Sequence, residues 1–311
     1  MNLHGLISAT YTPFQLVSGE LNLALIEPMT DFMLSRGTDG LYVCGSTGEG
    51  ESLSLRERKE VAEAFVSAAN RRVPVVIQVG HNSLASAKEL AVHAREIGAD
   101  AISSLPPSYF KPNTPEALIA CIAELANAVP ELPYYYYHIP TMSGVRVDLL
   151  ELLSLASKRI PSFRGVKFSD PDLSEMMACQ AFDGGRYDIP FGSDQMLLGA
   201  LACGATAAVG SSYGFAGPQW QRIIATHEAG HGEEALRNMQ RAAHLVRLIS
   251  TAPGPFHACV KQVIWPLHGF EPGPLRLPQA TLTSAEIATV QKWLIETGFG
   301  EELVRGEFPA G

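Results

Sequence analysis

Eight short apolar runs recur along this chain at intervals of roughly 20 to 35 residues, most of them followed by an amphipathic stretch. They occupy 5–9, 40–44, 74–79, 101–104, 133–138, 165–168, 188–191 and 206–209. Few alternate cleanly between apolar and polar residues, the pattern of strands covered on both faces. Between them, a 3.6-residue periodicity predicts helices over 23–35, 56–70, 83–97, 115–128, 147–157 and 195–202. Eight strand–helix units predict an α/β fold, a closed parallel (β/α)8 TIM barrel, usually about 250 residues in size. The rival, an open doubly wound sheet, ranks second because no GxGxxG follows the first strand and no composition break divides the chain. Helical periodicity around 235–249, 258–267 and 284–296 predicts an extension packed on the barrel. The expected division is a barrel over 1–220 and a C-terminal helical extension over 221–311.

Composition limits the partners. With 46% hydrophobic and 18% charged residues, the chain can fill such a core and is too apolar for disorder. The formal net charge is −9 with Lys and Arg scattered, so neither nucleic acid nor an anionic membrane is expected as a partner. The first residues show no basic segment followed by an apolar one, so no signal peptide is expected. The longest uncharged apolar stretch, 196–209, is too short to span a bilayer. Five widely spaced cysteines without a CxxC pair predict a reduced, cytoplasmic protein.

In a parallel barrel the polar groups that do chemistry lie at the C-terminal ends of the strands. Strand six carries Gly165-Val166-Lys167-Phe168-Ser169-Asp170. Side chains alternate along a strand, so Val166 and Phe168 should face the helices while Lys167 faces the barrel axis. An amine there is costly unless paired or neutral. Neutral, it is a nucleophile for a carbonyl; paired with Asp170, it is structural. On strand five, Tyr135 and Tyr137 share one face and Tyr134 and Tyr136 the other. An inward Tyr137 would neighbour Lys167 and could relay protons, or serve as aromatic packing like the others. Gly45-Ser46-Thr47-Gly48-Glu49, after strand two, offers hydroxyls and backbone N–H groups to a carboxylate or phosphate, or is an ordinary helix cap.

Two further motifs are weighed down by their surroundings. His227 and His231 match HExxH, but Gly230 and Gly232 predict that the helix ends inside the motif, so no zinc site is expected. Ser212 sits in a GxSxG, yet no Asp follows it anywhere in the chain.

Taken in order, these residues resemble the N-acetylneuraminate lyase and dihydrodipicolinate synthase family of class I aldolases. The likeness runs from Tyr11-Thr12-Pro13-Phe14 to Gly273-Pro274-Leu275-Arg276. It includes GSTGE at 45–49, YHIP at 137–140 followed by Ser143-Gly144, GVKFSD at 165–170 and GATAAVGS at 204–211. The resemblance implies a barrel, a homotetramer, a small-molecule 2-oxo acid substrate, and no metal or organic cofactor. It implies an imine on Lys167, proton relay by Tyr137, and a substrate carboxylate held by Ser46 and Thr47. Tyr109 resembles the family's second tyrosine, contributed across a subunit contact, with Phe110 as the alternative match. Ser169, Gly192, Asp194, Gln195 and Ser211 match the positions that contact the substrate's tail.

Within the family, the synthase branch has an arginine where this chain has Met142, and an apolar side chain cannot make that bidentate contact. The segments 137–145 and 163–170 resemble the sialic-acid lyases, which implies cleavage of N-acetylneuraminate to pyruvate and N-acetylmannosamine. Gln195 departs from the glutamate usual in that branch, which leaves a 2-keto-3-deoxy sugar-acid aldolase or dehydratase as an alternative. A non-catalytic sugar-acid binding protein is the rival of another kind.

Overall fold

The computed structural model describes residues 2–307, so the last four residues of the expected extension lie outside it. Seven parallel strands form one curled sheet: β1 (Gly5–Ala9), β2 (Gly40–Val43), β3 (Val75–Gln78), β4 (Ala101–Ser104), β5 (Tyr134–His138), β6 (Phe163–Phe168) and β7 (Ala207–Gly210). Their order is β6-β5-β4-β3-β2-β1-β7. The eighth expected strand, 188–191, does not join as a regular ladder. It makes single parallel bridges, Gly165 to Asp188 and Phe168 to Phe191 on one side and Phe191 to Ala208 on the other. Pro190 lacks the N–H a ladder needs, yet its carbonyl still accepts from Phe168 N at 2.9 Å. This segment closes the ring between β6 and β7. Gly165 is required there, since a Cβ would overlap the Asp188 carbonyl oxygen.

Strand alternation sorts the core into two shells. Leu41, Val43, Val75, Ile77, Ile102, Tyr134, Tyr136, Val166 and Phe168 face outward into the layer between sheet and helices. Ile7, Ala9, Tyr42, Val76, Ala101, Tyr135, Tyr137 and Val209 fill the barrel interior. The inward placement of Tyr135 and Tyr137 follows the alternation read from the sequence.

Helices begin where side chains can take up free backbone N–H groups. Ser54 and Glu57 form a reciprocal capping box on Leu55–Ala69. Thr114 caps Pro115–Ala126, Asp148 caps Leu149–Arg159, and Asp172 caps Leu173–Ala181. Each such cap contributes about 1 kcal/mol.

Helix Tyr213–Glu228 runs through position 220, and Gly232–Ser250, Ser284–Thr297 and Phe299–Arg305 follow it. Their apolar faces (Leu245, Ile249, Val290, Leu294, Phe299, Leu303) join the outer shell of the barrel core. Between them, Phe256–Cys259 leads into a π-helical turn, Val260–Ile264. Among the described residues, no helix is long and apolar enough to cross a membrane.

Candidate active site

Lys167 and Tyr137 are register partners on β6 and β5, so their side chains enter the barrel side by side. The Lys167 ammonium nitrogen lies 3.7 Å from the centre of the Tyr137 ring and 3.8 Å from that of Tyr42. Lys167 is buried, only 4% exposed. Burial pushes the amine below the usual lysine range, because the ammonium loses its hydration; the Tyr137 phenol and the Asp194 carboxylate pull the other way. Asp170 is not its partner: that carboxylate pairs with Arg146 at 2.6 Å. The structural alternative of a Lys167–Asp170 pair is therefore removed.

Tyr42 was not singled out from the sequence; it lies on the strand face opposite Leu41 and Val43, and that face is the inner one. Its hydroxyl donates to Ser103 Oγ at 3.0 Å, and its ring meets Tyr137 edge-on at 5.6 Å. Two phenols thus wall the amine.

The turn after β2 is no helix cap. The next α-helix starts at Leu55 and is capped by Ser54, leaving the Ser46 and Thr47 hydroxyls free of that task. Cys44 and Glu49 bracket the turn with φ of 58° and 56°, the left-handed region that costs a side chain energy. Thr12 Oγ1 donates to Gly48 O at 2.6 Å, and Thr47 Oγ1 is 2.7 Å from Ser211 Oγ, joining the turn to the end of β7. Lys261 was also missed. It is a lone lysine in the apolar run 258–267, and its amine reaches Glu49 Oε1 at 3.0 Å with both side chains fully buried.

Asp194 is buried and accepts from Ser212 N at 2.8 Å and from the Ser212 hydroxyl. Burial raises its pKa, and the two Ser212 bonds oppose that. Ser212 is thereby committed to a carboxylate, which disposes of the nucleophile-elbow reading. Ser169 Oγ is buried without a protein partner. A Cβ at Gly192 would overlap that oxygen, so glycine is what leaves it room. Ser211 is half-buried and Gln195 exposed on this rim.

Tyr109 stands apart within this chain. It is 78% exposed, edge-on to Phe110, with its backbone N–H held by Asn82 Oδ1 at 3.0 Å. A cavity of about 190 Å³ beside Ser46 is also lined by Asn82, Ser108, Met142 and His257, and Lys167 does not reach its wall. The HExxH helix ends at Glu228, with Gly230 at φ 76°, so His227 and His231 do not share a helical face.

A parallel barrel with one buried amine between phenols at its strand ends defines a barrel enzyme equipped for amine chemistry on carbonyl compounds. The chain belongs to the dihydrodipicolinate synthetase family, whose model matches residues 2–297. It is 41% identical over 278 residues to N-acetylneuraminate lyase A of Xenopus laevis, covering 89% of this chain and 90% of the relative. The solved N-acetylneuraminate lyase of Proteus mirabilis superposes with a TM-score of 0.92 at 35% identity, covering 96% of this chain and 100% of that one. The sialic acid aldolase of Aliivibrio salmonicida gives 0.91 at 36% identity, covering 96% and 98%.

Proposed function

We propose that this chain is a Schiff-base aldolase that cleaves N-acetylneuraminate to pyruvate and N-acetylmannosamine. The observation that carries the reading is the Lys167 amine, buried and depressed in basicity, register-paired with Tyr137. Ser46 and Thr47 hold the carboxylate of the open-chain 2-oxo acid. Neutral Lys167 attacks the C2 ketone, the Tyr137 phenol gives its proton to the departing oxygen, and loss of water leaves a protonated imine beside the Tyr137 phenolate. Tyr137 takes the C4 hydroxyl proton, the C3–C4 bond breaks, and its electrons pass into the imine, leaving the aldehyde and an enamine. Protonation at C3 and hydrolysis release pyruvate and restore the amine. The imine is itself the electron sink, so the reaction calls for no metal or organic cofactor.

Ser169, Gly192, Asp194, Gln195 and Ser211 line the tail of the substrate; the partnerless Ser169 hydroxyl supports this, because a buried polar group wants a ligand. Tyr109 completes a neighbouring copy's site in a homotetramer, and the exposure of the Tyr109 and Phe110 pair supports a covered surface there. The five free thiols suit the cytoplasm. Met142, 68% exposed, offers a second substrate carboxylate nothing, which disfavours the synthase reaction.

Borohydride reduction in the presence of pyruvate tests the reading: one pyruvyl group is expected on Lys167 by peptide mass spectrometry, and an unmodified lysine refutes it. Gln195 favours one second reading, an aldolase for a 2-keto-3-deoxy sugar acid. Pyruvate release across a panel of such acids and N-acetylneuraminate separates the two.

A further inference from the structure

The carboxylate that ends the Ser46–Thr47 turn is held from outside the barrel. Glu49 Oε1 accepts from the Lys261 ammonium at 3.0 Å, and Oε2 accepts from Arg276 N at 2.8 Å. The same ammonium donates to the carbonyls of Thr12 and Pro274, each at 2.9 Å. All three of its protons therefore have acceptors. Thr12 in turn donates to the Gly48 carbonyl, so Lys261 grips the turn at two consecutive residues by two routes.

An ion pair this buried is a poor stability device. Desolvating both charges offsets most of their attraction, and well-packed apolar residues often serve as well. What an ion pair with three fixed acceptors supplies is one geometry. Glu49 needs that, because its φ of 56° lies where a residue with a side chain settles only if its surroundings impose it. The lysine arrives on the π turn Val260–Ile264, a widened helical turn of the kind that often marks functional sites.

We propose that Lys261 is a positioning residue for substrate binding: by holding Glu49 in the left-handed conformation it aims Ser46 and Thr47 at the 2-oxo acid's carboxylate. The inference rests on the function proposed above. Lys261 touches neither substrate nor Lys167, so it acts on the affinity for the carboxylate and leaves the imine chemistry alone.

The test uses the full-length enzyme with Lys261→Met, and with Lys261→Met combined with Glu49→Gln, which removes the stranded buried charge should the single variant fold poorly. Rates are normalised to the fraction of sites that trap pyruvate under borohydride at saturation. The expected result is a KM for N-acetylneuraminate and a Kd for pyruvate raised about tenfold or more, with kcat within about threefold of wild type. Trapping stays on Lys167, and Lys261→Arg recovers part of the lost affinity. Wild-type KM in a folded variant overturns the proposal, and so does a fall in kcat with KM unchanged. Failure of both variants to fold assigns the pair to stability alone and overturns it too. A wild-type enzyme that traps no pyruvate removes the aldolase reading beneath it, which distinguishes that failure from this one.

Discussion

The amine of Lys167 sits over the ring of its register partner Tyr137, 3.7 Å from the ring centre. That places a proton carrier where an imine would form and break. Tyr137→Phe should lower kcat by about 10²- to 10⁴-fold, the usual contribution of a positioned acid–base group. Lys167 should still be trapped by pyruvate and borohydride, only more slowly. Steady-state kinetics with mass spectrometry of the reduced adduct checks this; unchanged kcat removes Tyr137 from the mechanism.

The basicity of Lys167 is lowered by burial and raised by its aromatic neighbours and the Asp194 carboxylate. Aromatic faces favour the ammonium by about 0.5–2 kcal/mol. Full burial disfavours it more strongly, because the ammonium loses its hydration. Burial wins, in keeping with the lowered pKa. kcat/KM should then rise with pH and level off below the usual lysine range. Tyr42→Ala, which admits water to the amine, should move that acid limb to higher pH. A shift to lower pH would show that the ring's attraction, not dehydration, governs the amine.

One buried and two half-buried histidines predict acid sensitivity. Burial holds His138, His257 and His268 at about 4, against 6.5 for the free side chain. The unfolded chain therefore takes up protons first as pH falls, and stability that is full above 6.5 is lost as pH drops toward 4. Each histidine contributes at most about 3 kcal/mol. Calorimetric Tm should fall through this window. His138 stacks on Phe168 and neither ring nitrogen has a protein partner, so His138→Phe should make the fall shallower. An identical pH profile for the variant would exclude His138 as a contributor.

Barrel closure leaves no space at Gly165, whose Cβ would meet the Asp188 carbonyl oxygen. Gly165→Ala should destabilise by about 3 kcal/mol or more, because a backbone atom cannot step aside as a side chain can. Gly300→Ala, in helix Phe299–Arg305 with nothing nearer than 3.7 Å, should be neutral or stabilising. Urea midpoints of the two variants decide it; equal midpoints would mean that the closing segment shifts freely.

At the rim, Gln195 offers the substrate tail a neutral acceptor. Gln195→Glu should raise kcat/KM for N-acetylneuraminate about tenfold, since charge-assisted hydrogen bonds are roughly twice as strong as neutral ones. A decrease, with a gain on a 2-keto-3-deoxy sugar acid absent, would indicate a tail pocket adapted to glutamine.

Much of the fold was legible because alternation is a local property. Eight apolar runs predicted eight barrel positions; parity along strand six placed Lys167 inside and Phe168 outside, and parity along strand five set Tyr135 and Tyr137 on one face, which the structure shows to be the inner one. The exception, 188–191, is instructive. Its apolar character was enough to bury it, but Pro190 withholds a donor, so it closes the barrel through single bridges.

Residue order alone thus determined the barrel, its inward amine and the neighbouring phenol, since each follows from a period of two and from the succession of parallel strands. Only the tertiary structure decided what surrounds them: Tyr42 against Lys167, Arg146 on Asp170, Ser212 on Asp194, and Lys261 on Glu49 across 212 residues of chain. Those partners meet because helices and strands distant in sequence pack on one core, and no local pattern encodes which polar groups that packing brings together.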